Sequence, residues 1–288
     1  MQSPRELRRR IKSVSGTAQI TKAMQMVAAS KMRKAQQAAL AAKGFARLLY
    51  RIQRVATTGQ QAAVGHPLLE AREVKTRAVI LIAADKGLCG ALNTNVFRVA
   101  AQFDPESTIF IAAGRKAAQF VSRTRRRLAA EFPYHDTPTY PEARAIAAFA
   151  RDLFLNGEVD QVQVVATRFV NTLSQQAVSL EYLPVGAITS LSVPGLEPEA
   201  PPADTGETMF EPDSAEVLAY LLGHYLNIYI YYVLLNAKAS EQSARMVSMK
   251  NATDSAEDLI DALTLEYNKL RQGNITRELL EIAGGQAQ

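Results

Sequence analysis

Proline is absent between Pro4 and Pro67 and again after Pro212, so both ends of the chain lack the strongest breaker of helices. From Met32 the positions Met32, Ala35, Ala39, Ala42, Ala46 and Leu49 step by threes and fours, and Phe45, Leu48, Ile52 and Val55 do so one face over. This spacing predicts a helix from about Arg5 to about Thr57, roughly 80 Å long at 1.5 Å per residue, more than a compact domain of this size holds without projecting it. Leu7, Ile11, Val14 and Ala18 step in the same way, whereas Ile20, Met24 and Ala28 advance by fours and are expected to carry the seam around the helix.

At the other end, Ser214 is the expected cap, and Ala256, Ile260, Leu263, Tyr267 and Leu270 alternate fours and threes before the stop signals Gly284 and Gly285. Two long seamed helices at opposite ends of one chain pack most economically on each other as an antiparallel coiled coil. Charge favours the pairing. Up to Arg54 there are thirteen Lys or Arg against Glu6 alone, while Asp254, Glu257, Asp258, Asp261, Glu266, Glu278 and Glu281 make the last stretch acidic.

The middle has another rhythm. Ala78 to Ala84 and Thr108 to Ala113 are short apolar runs that read as buried parallel strands, with a helical stretch from Ala91 to Phe103 between them: a βαβ unit. A helix from Pro141 to Leu155 follows, then strands from Val159 to Val170 and Ala177 to Val185 joined as a hairpin near Asn171. Val193 to Pro212 reads as a loop. The expected fold is therefore α/β with a long helical coiled coil: helix 1–60, a Rossmann-like domain over 75–190, a linker over 191–212 and helix 213–285. Tyr220, Tyr225, Tyr229, Tyr231 and Tyr232 cover all faces of the second helix and are expected to pack on the middle domain.

Composition closes several other routes. With 48% hydrophobic and 21% charged residues the chain is neither collagen-like nor disordered, and Cys89 as its one cysteine excludes an internal disulfide and a multi-cysteine zinc cluster. The longest apolar stretch, Tyr229 to Leu235, is far short of the roughly 18 residues that span a bilayer. A net charge of +5 raises nucleic acid, anionic lipid or an acidic protein surface as partner. The Arg-rich start also has the composition of an organellar transit peptide.

Signals for chemistry are sparse. Asp85, Gly87 and Gly90 follow the first strand where open α/β sheets bind phosphates, but neither G-x-G-x-x-G nor G-x-x-x-x-G-K-[ST] is present, so a structural strand-to-helix turn is expected. Cys89 has no paired histidine or acid and reads as a packed side chain. His66, His135 and His224 stand apart, so no metal site is expected.

The segments RRRIKSVSGTAQITKAMQMVAASKMRKAQ (Arg8 to Gln36), SEQSARMVSMKNATDSAEDLIDAL (Ser240 to Leu263) and ITRELLEIAGG (Ile275 to Gly285) closely resemble the gamma subunits of F-type ATP synthases. DKGLCGALN at Asp85 and FEPD at Phe210 look like the middle motifs of that family, in the same order. The resemblance implies the coiled coil and Rossmann-like domain read above, leaves no room for a removable leader, and implies no thiol regulation of the plant kind.

It also implies a mechanical role without catalytic residues or bound cofactor. A central shaft stands inside a hexagon of three alpha and three beta subunits, fixed below to epsilon and the membrane c ring, on the cytoplasmic face of a bacterial plasma membrane. Carried over by position, Arg245, Gln272, Thr276 and Glu278 would catch loops of beta, and Lys12, Lys22, Lys31, Arg33 and Lys34 would face its acidic loops. Met24 would face beta or lie in the seam. Met209, Phe210 and Glu211 would meet the c ring, where the family usually carries tyrosine near Phe210. The competing reading from charge alone is a basic coiled coil that binds nucleic acid.

Overall fold

The computed structural model describes residues 3–58, 66–185 and 214–285, so the linker and Met209, Phe210 and Glu211 lie outside the described residues. In chain order the elements are α1 (Pro4–Thr58), β1 (Arg77–Ile82), α2 (Leu92–Ala100), β2 (Thr108–Ala113), α3 (Arg115–Arg123), β3 (Arg127–Phe132), α4 (Tyr140–Leu155), β4 (Gln161–Phe169), β5 (Gln175–Leu183) and α5 (Ser214–Gly285). The chain divides into two compact units: Met1–Ala29 with Arg245–Gln288, and Ser30–Ala244.

The first unit is a two-helix coil. Arg8 of α1 donates to the Tyr267 hydroxyl of α5 and lies 5.4 Å from the centroid of its ring, while the hydroxyls of Thr21 and Thr253 meet at 2.7 Å. As the number rises on one helix it falls on the other, so the helices run antiparallel. On α1 the covered positions include Leu7, Ile11, Val14, Ala18, Thr21, Gln25 and Ala28, which alternate fours and threes, with Ser15, Gly16 and Met24 half-buried beside them; on α5 they include Met249, Thr253, Ala256, Ile260, Leu263, Tyr267 and Leu270, with Ala252 and Thr264 half-buried beside them. This corrects the expected seam at Ile20 but not at Ala28, which is buried. Ile20 is 63% exposed, and its place in the contact is taken by Thr21, whose hydroxyl finds a partner across the coil. Met24 is half-buried at the margin of the seam. The seam keeps the 3.5-residue period because each covered residue must face the partner helix, whatever its polarity.

The second unit is a three-layer α/β domain. Its sheet has the order β3-β2-β1-β4-β5, parallel throughout except for the antiparallel β4–β5 hairpin. Ala78, Ile80 and Ile82 of β1 join one core with α4 and the stretch of α5 from Leu222 to Ala237, and Val79 and Leu81 join the opposite core with α2 and α3. Strands covered on both faces carry continuous apolar runs, which is why β1 and β2 were visible in the sequence. By contrast α3 and β3 were not expected. β3 is an edge strand whose residues RLAAEF are mostly exposed and include no β-branched side chain, so it lacks both signals of a buried strand.

Candidate functional site

The surfaces implied by the family motifs lie mainly on the two long helices. Lys12 and Lys22 are exposed in the first unit, and Arg33 and Lys34 in the second. At about 100° per residue, Lys12, Arg33 and Lys34 fall on the half of α1 turned away from its seam, whereas Lys22 and Lys31 flank the seam. No ion pair among the described residues joins them to Asp254, Glu257, Asp258, Asp261 or Glu266, which are all exposed on α5. The opposite charges of the two arms are thus not spent on each other in contact, and Lys12, Lys22, Arg33 and Lys34 remain open to an acidic partner. Lys31 differs: its ammonium is bound to the carboxylate of Asp136.

Arg245, Gln272 and Thr276 do not form one site. Arg245 is buried, at 8% exposure, and lies about 40 Å along α5 from Gln272 at the rise of a helix. Gln272 and Thr276 are exposed one turn apart, where the Thr276 hydroxyl donates to the Gln272 carbonyl at 2.9 Å. The side chain of Glu278 lies outside the described residues. Arg8 stands opposite Tyr267, so the seam of α5 ends near Leu270, and beyond it Ile275, Leu279 and Leu280 are exposed at 46%, 61% and 68%.

The loop after β1 is held from within. The Asp85 carboxylate accepts the backbone N–H of Arg115 at 2.9 Å, placing a protein anion at the start of α3, the kind of position where open sheets bind phosphates. Asn93 accepts from the N–H of Ala84 at 3.1 Å, and its amide donates to the buried Cys89 sulfur at 3.6 Å. Gly90 and Leu88 both take left-handed φ values, 59° and 62°, whereas Gly87 does not; Leu88 is 62% exposed. Among the described residues no group of three His, Cys, Asp or Glu could hold a metal ion.

Sequence reasoning missed a polar cluster at the carboxyl ends of the strands. The Tyr134 hydroxyl donates to the Ala83 carbonyl at 3.0 Å, and burial, with the negative charge of Glu241 and Asp85 nearby, pushes its phenol well above the ordinary value. Lys238 lies 3.0 Å from Glu241, 3.3 Å from Asp136 and 5.1 Å from the centroid of the Tyr134 ring. The hydrogen bond from Lys31, helped by the charge of Lys238, outweighs burial and holds the Asp136 carboxyl below its usual range. Burial pushes Glu142 up, but hydrogen bonds from Thr139 and His135 prevail and hold it low. The only hint in the sequence was a Lys and a Glu three residues apart inside a run of small side chains.

The family model described as ATP synthase matches residues 3–287. The ATP synthase gamma chain of Opitutus terrae is 48% identical over 292 aligned residues, covering 99% of this chain and 98% of that one. The gamma chain of Dehalococcoides mccartyi is 42% identical, with 100% and 99% covered. Among solved structures, the central stalk and c ring of Tetrahymena thermophila mitochondrial ATP synthase matches with a TM-score of 0.62 at 27% identity, over 81% of this chain and 99% of that one. A Euglena gracilis mitochondrial ATP synthase assembly shares the fold, with a TM-score of 0.65 at 20% identity over 99% and 93%. None of these likenesses supports a nucleic-acid binder.

Proposed function

The chain belongs to the ATP synthase gamma-chain family, and on that premise we infer that it is the central rotor shaft of the F1 sector, coupling ion flow through the c ring to the conformational cycle of the catalytic subunits. The observation that carries this reading is the family match running unbroken across both arms of the antiparallel coil and the domain between them.

A shaft performs no bond chemistry. It acts by interacting differently with the states of the subunits around it, which is a coupling free energy. Shifting one beta subunit from 1:99 to 99:1 between two states takes about 5.5 kcal/mol of differential interaction. Two features support a surface able to supply it. The half of α1 opposite the seam is basic and lacks acidic partners on α5, and the end of α5 beyond Leu270 presents Ile275, Leu279 and Leu280. In this reading one chain stands within three alpha and three beta subunits, with epsilon and the c ring below. Lys12, Lys22, Arg33 and Lys34 meet acidic loops of beta, Met24 lies at the margin of that contact, and Gln272, Thr276 and Glu278 form the catch. Arg245, being buried, acts through its neighbours. Met209, Phe210 and Glu211 form the foot on the c ring.

The chain carries no catalytic residue and binds no cofactor of its own in this reading. No helix among the described residues is long and apolar enough to cross a membrane, so attachment to the cytoplasmic face of a bacterial plasma membrane goes through partners.

Reconstitution tests this directly. The purified chain is mixed with matching alpha and beta subunits, the complex isolated, and magnesium-dependent ATP hydrolysis measured with and without it. One copy per hexagon, with turnover raised and none from the chain alone, is expected, and Gln272→Ala should reduce the gain. Failure to assemble, together with a salt-sensitive affinity for nucleic acid, would refute the rotor reading.

A further inference from the structure

We propose that the Lys31–Asp136–Lys238–Glu241 network is a torsional bracket, in which one loop carboxylate fixes both long helices to the carboxyl edge of the sheet; this role rests on the rotor reading. Asp136 sits between β3 and α4 and receives Lys31 from α1 and Lys238 from α5. Its loop is pinned on both sides. Ahead of it, Tyr134 is tied to Ala83 at the end of β1; after it, Glu142 accepts the backbone N–H groups of His135 at 2.9 Å and Thr139 at 2.7 Å. The bracket is therefore part of the sheet's framework rather than a free loop.

Stability does not account for the buried pair. The side chains of Lys238 and Glu241 are 1% and 4% exposed, and burying two charges costs so much that well-packed apolar residues often do as well or better. That pair lies within α5 and turns with it, so direction comes from the contact that leaves the helix, Lys238 to Asp136 at 3.3 Å. Elsewhere α5 meets this domain through Tyr225, Leu226, Tyr229, Ile230, Val233 and Leu234, apolar contacts that resist separation but define the rotational setting of a helix weakly. A charge-assisted contact fails when the helix turns by a few ångströms at its surface. Lys238 and Asp136 are thus positioning residues, which hold the angle of α5 while load passes between the domain and the shaft, and Glu241 acts through Lys238. Lys31 does the same for α1.

The test uses the whole ion-translocating synthase in lipid vesicles, reading ATP hydrolysis and ATP-driven acidification in the same sample. Asp136 is half exposed, so Asp136→Asn removes the bridging charge without opening a core. Assembly and the tyrosine-fluorescence melt should hold and hydrolysis stay within about twofold, while protons pumped per ATP fall by about threefold or more as the gradient builds, a fall within the range for loss of a partly exposed ion pair. Asp136→Glu, which keeps the charge, should restore at least half of the loss. The paired change Lys238→Met with Glu241→Gln should lower pumping per ATP in the same way. Unaltered coupling in both Asp136→Asn and the paired variant overturns the bracket alone, as does a loss of pumping that merely tracks lost hydrolysis and a lowered melt. If the unsubstituted chain itself restores no pumping, the rotor reading falls and the bracket's role with it.

Discussion

Gly114 sits where β2 turns into α3, with φ 95° and ψ 148°, a region that side chains other than glycine almost never enter. A Cβ there would lie 2.2 Å from the Ala83 carbonyl oxygen and 3.3 Å from the Tyr134 ring. Two costs add in Gly114→Ala. The backbone strain is about 1–3 kcal/mol. Relief of the overlap must then move backbone at the end of β1, where Ala83 bonds to Ala113 and accepts the Tyr134 hydroxyl; losing one such buried bond costs about 1–3 kcal/mol more. The expected total is about 2–6 kcal/mol, a fall in Tm on the order of 10 °C for a domain of this size. Gly157 is the control: its φ of 74° is also positive, but nothing lies within 4 Å of its would-be Cβ, so Gly157→Ala should cost only about 1–2 kcal/mol of strain. The chain has no tryptophan, and every tyrosine except Tyr267 belongs to the second unit, so tyrosine fluorescence during thermal melting reports that unit almost alone. Equal melting shifts for the two alanine variants would refute the crowding argument.

The seam gives a paired prediction. Leu7→Ala, at 1% exposure, should destabilise the coil by about 2–4 kcal/mol, whereas Ile20→Ala, at 63%, should stay within about 0.5 kcal/mol, both read from helix melting by circular dichroism. Acid is a second probe. Asp136, Glu142, Asp104 and Asp160 are all held below their ordinary values, so their stabilisation is complete above the unfolded carboxylate range and drains away as pH falls through the lower native values. The urea midpoint should therefore be level between about pH 5 and 7, drop below about pH 4, and drop less in Asp136→Asn. Alkali acts in the opposite sense on Tyr134, Tyr182 and Tyr229. Burial raises all three phenols, so the stabilisation they provide is whole below about pH 10 and declines as the unfolded chain begins to ionise.

Both helices and the two central strands were legible because their signals are periodic or uniform: Leu7, Ile11 and Val14 recur at helical spacing, and AVILIA is apolar throughout. The reading failed where burial and residue type part company. Ile20 is apolar and exposed, whereas Thr21 and Gln25 are polar and face the partner helix, so a search for apolar residues followed the wrong line. Of the five tyrosines between Tyr220 and Tyr232 on α5, Tyr225, Tyr229 and Tyr232 are buried and Tyr231 is partly so, but Tyr220 is 69% exposed. Lys238 and Glu241 were invisible for a related reason. Charged residues are read as solvated unless their partners are known, and Asp136 is 102 residues away in sequence from Lys238.

The division of the chain into units has a consequence for its synthesis. The coil joins the first 29 residues to the stretch after Arg245, and the contact between Arg8 and Tyr267 spans 259 positions. A ribosome adding about 5–20 residues per second needs roughly 10–50 s to reach the partner helix after the first seam has emerged. The α/β domain, encoded between the two halves of the coil, is complete before that partner exists. During the wait the nascent first helix offers, beyond Leu7, Ile11 and Val14, a seam of Ala18, Thr21, Gln25 and Ala28, small or polar groups with little tendency to bind the wrong surface, beside a run of positive charge that repels other copies of itself. A seam rich in leucine would make a tighter coil but a more hazardous intermediate.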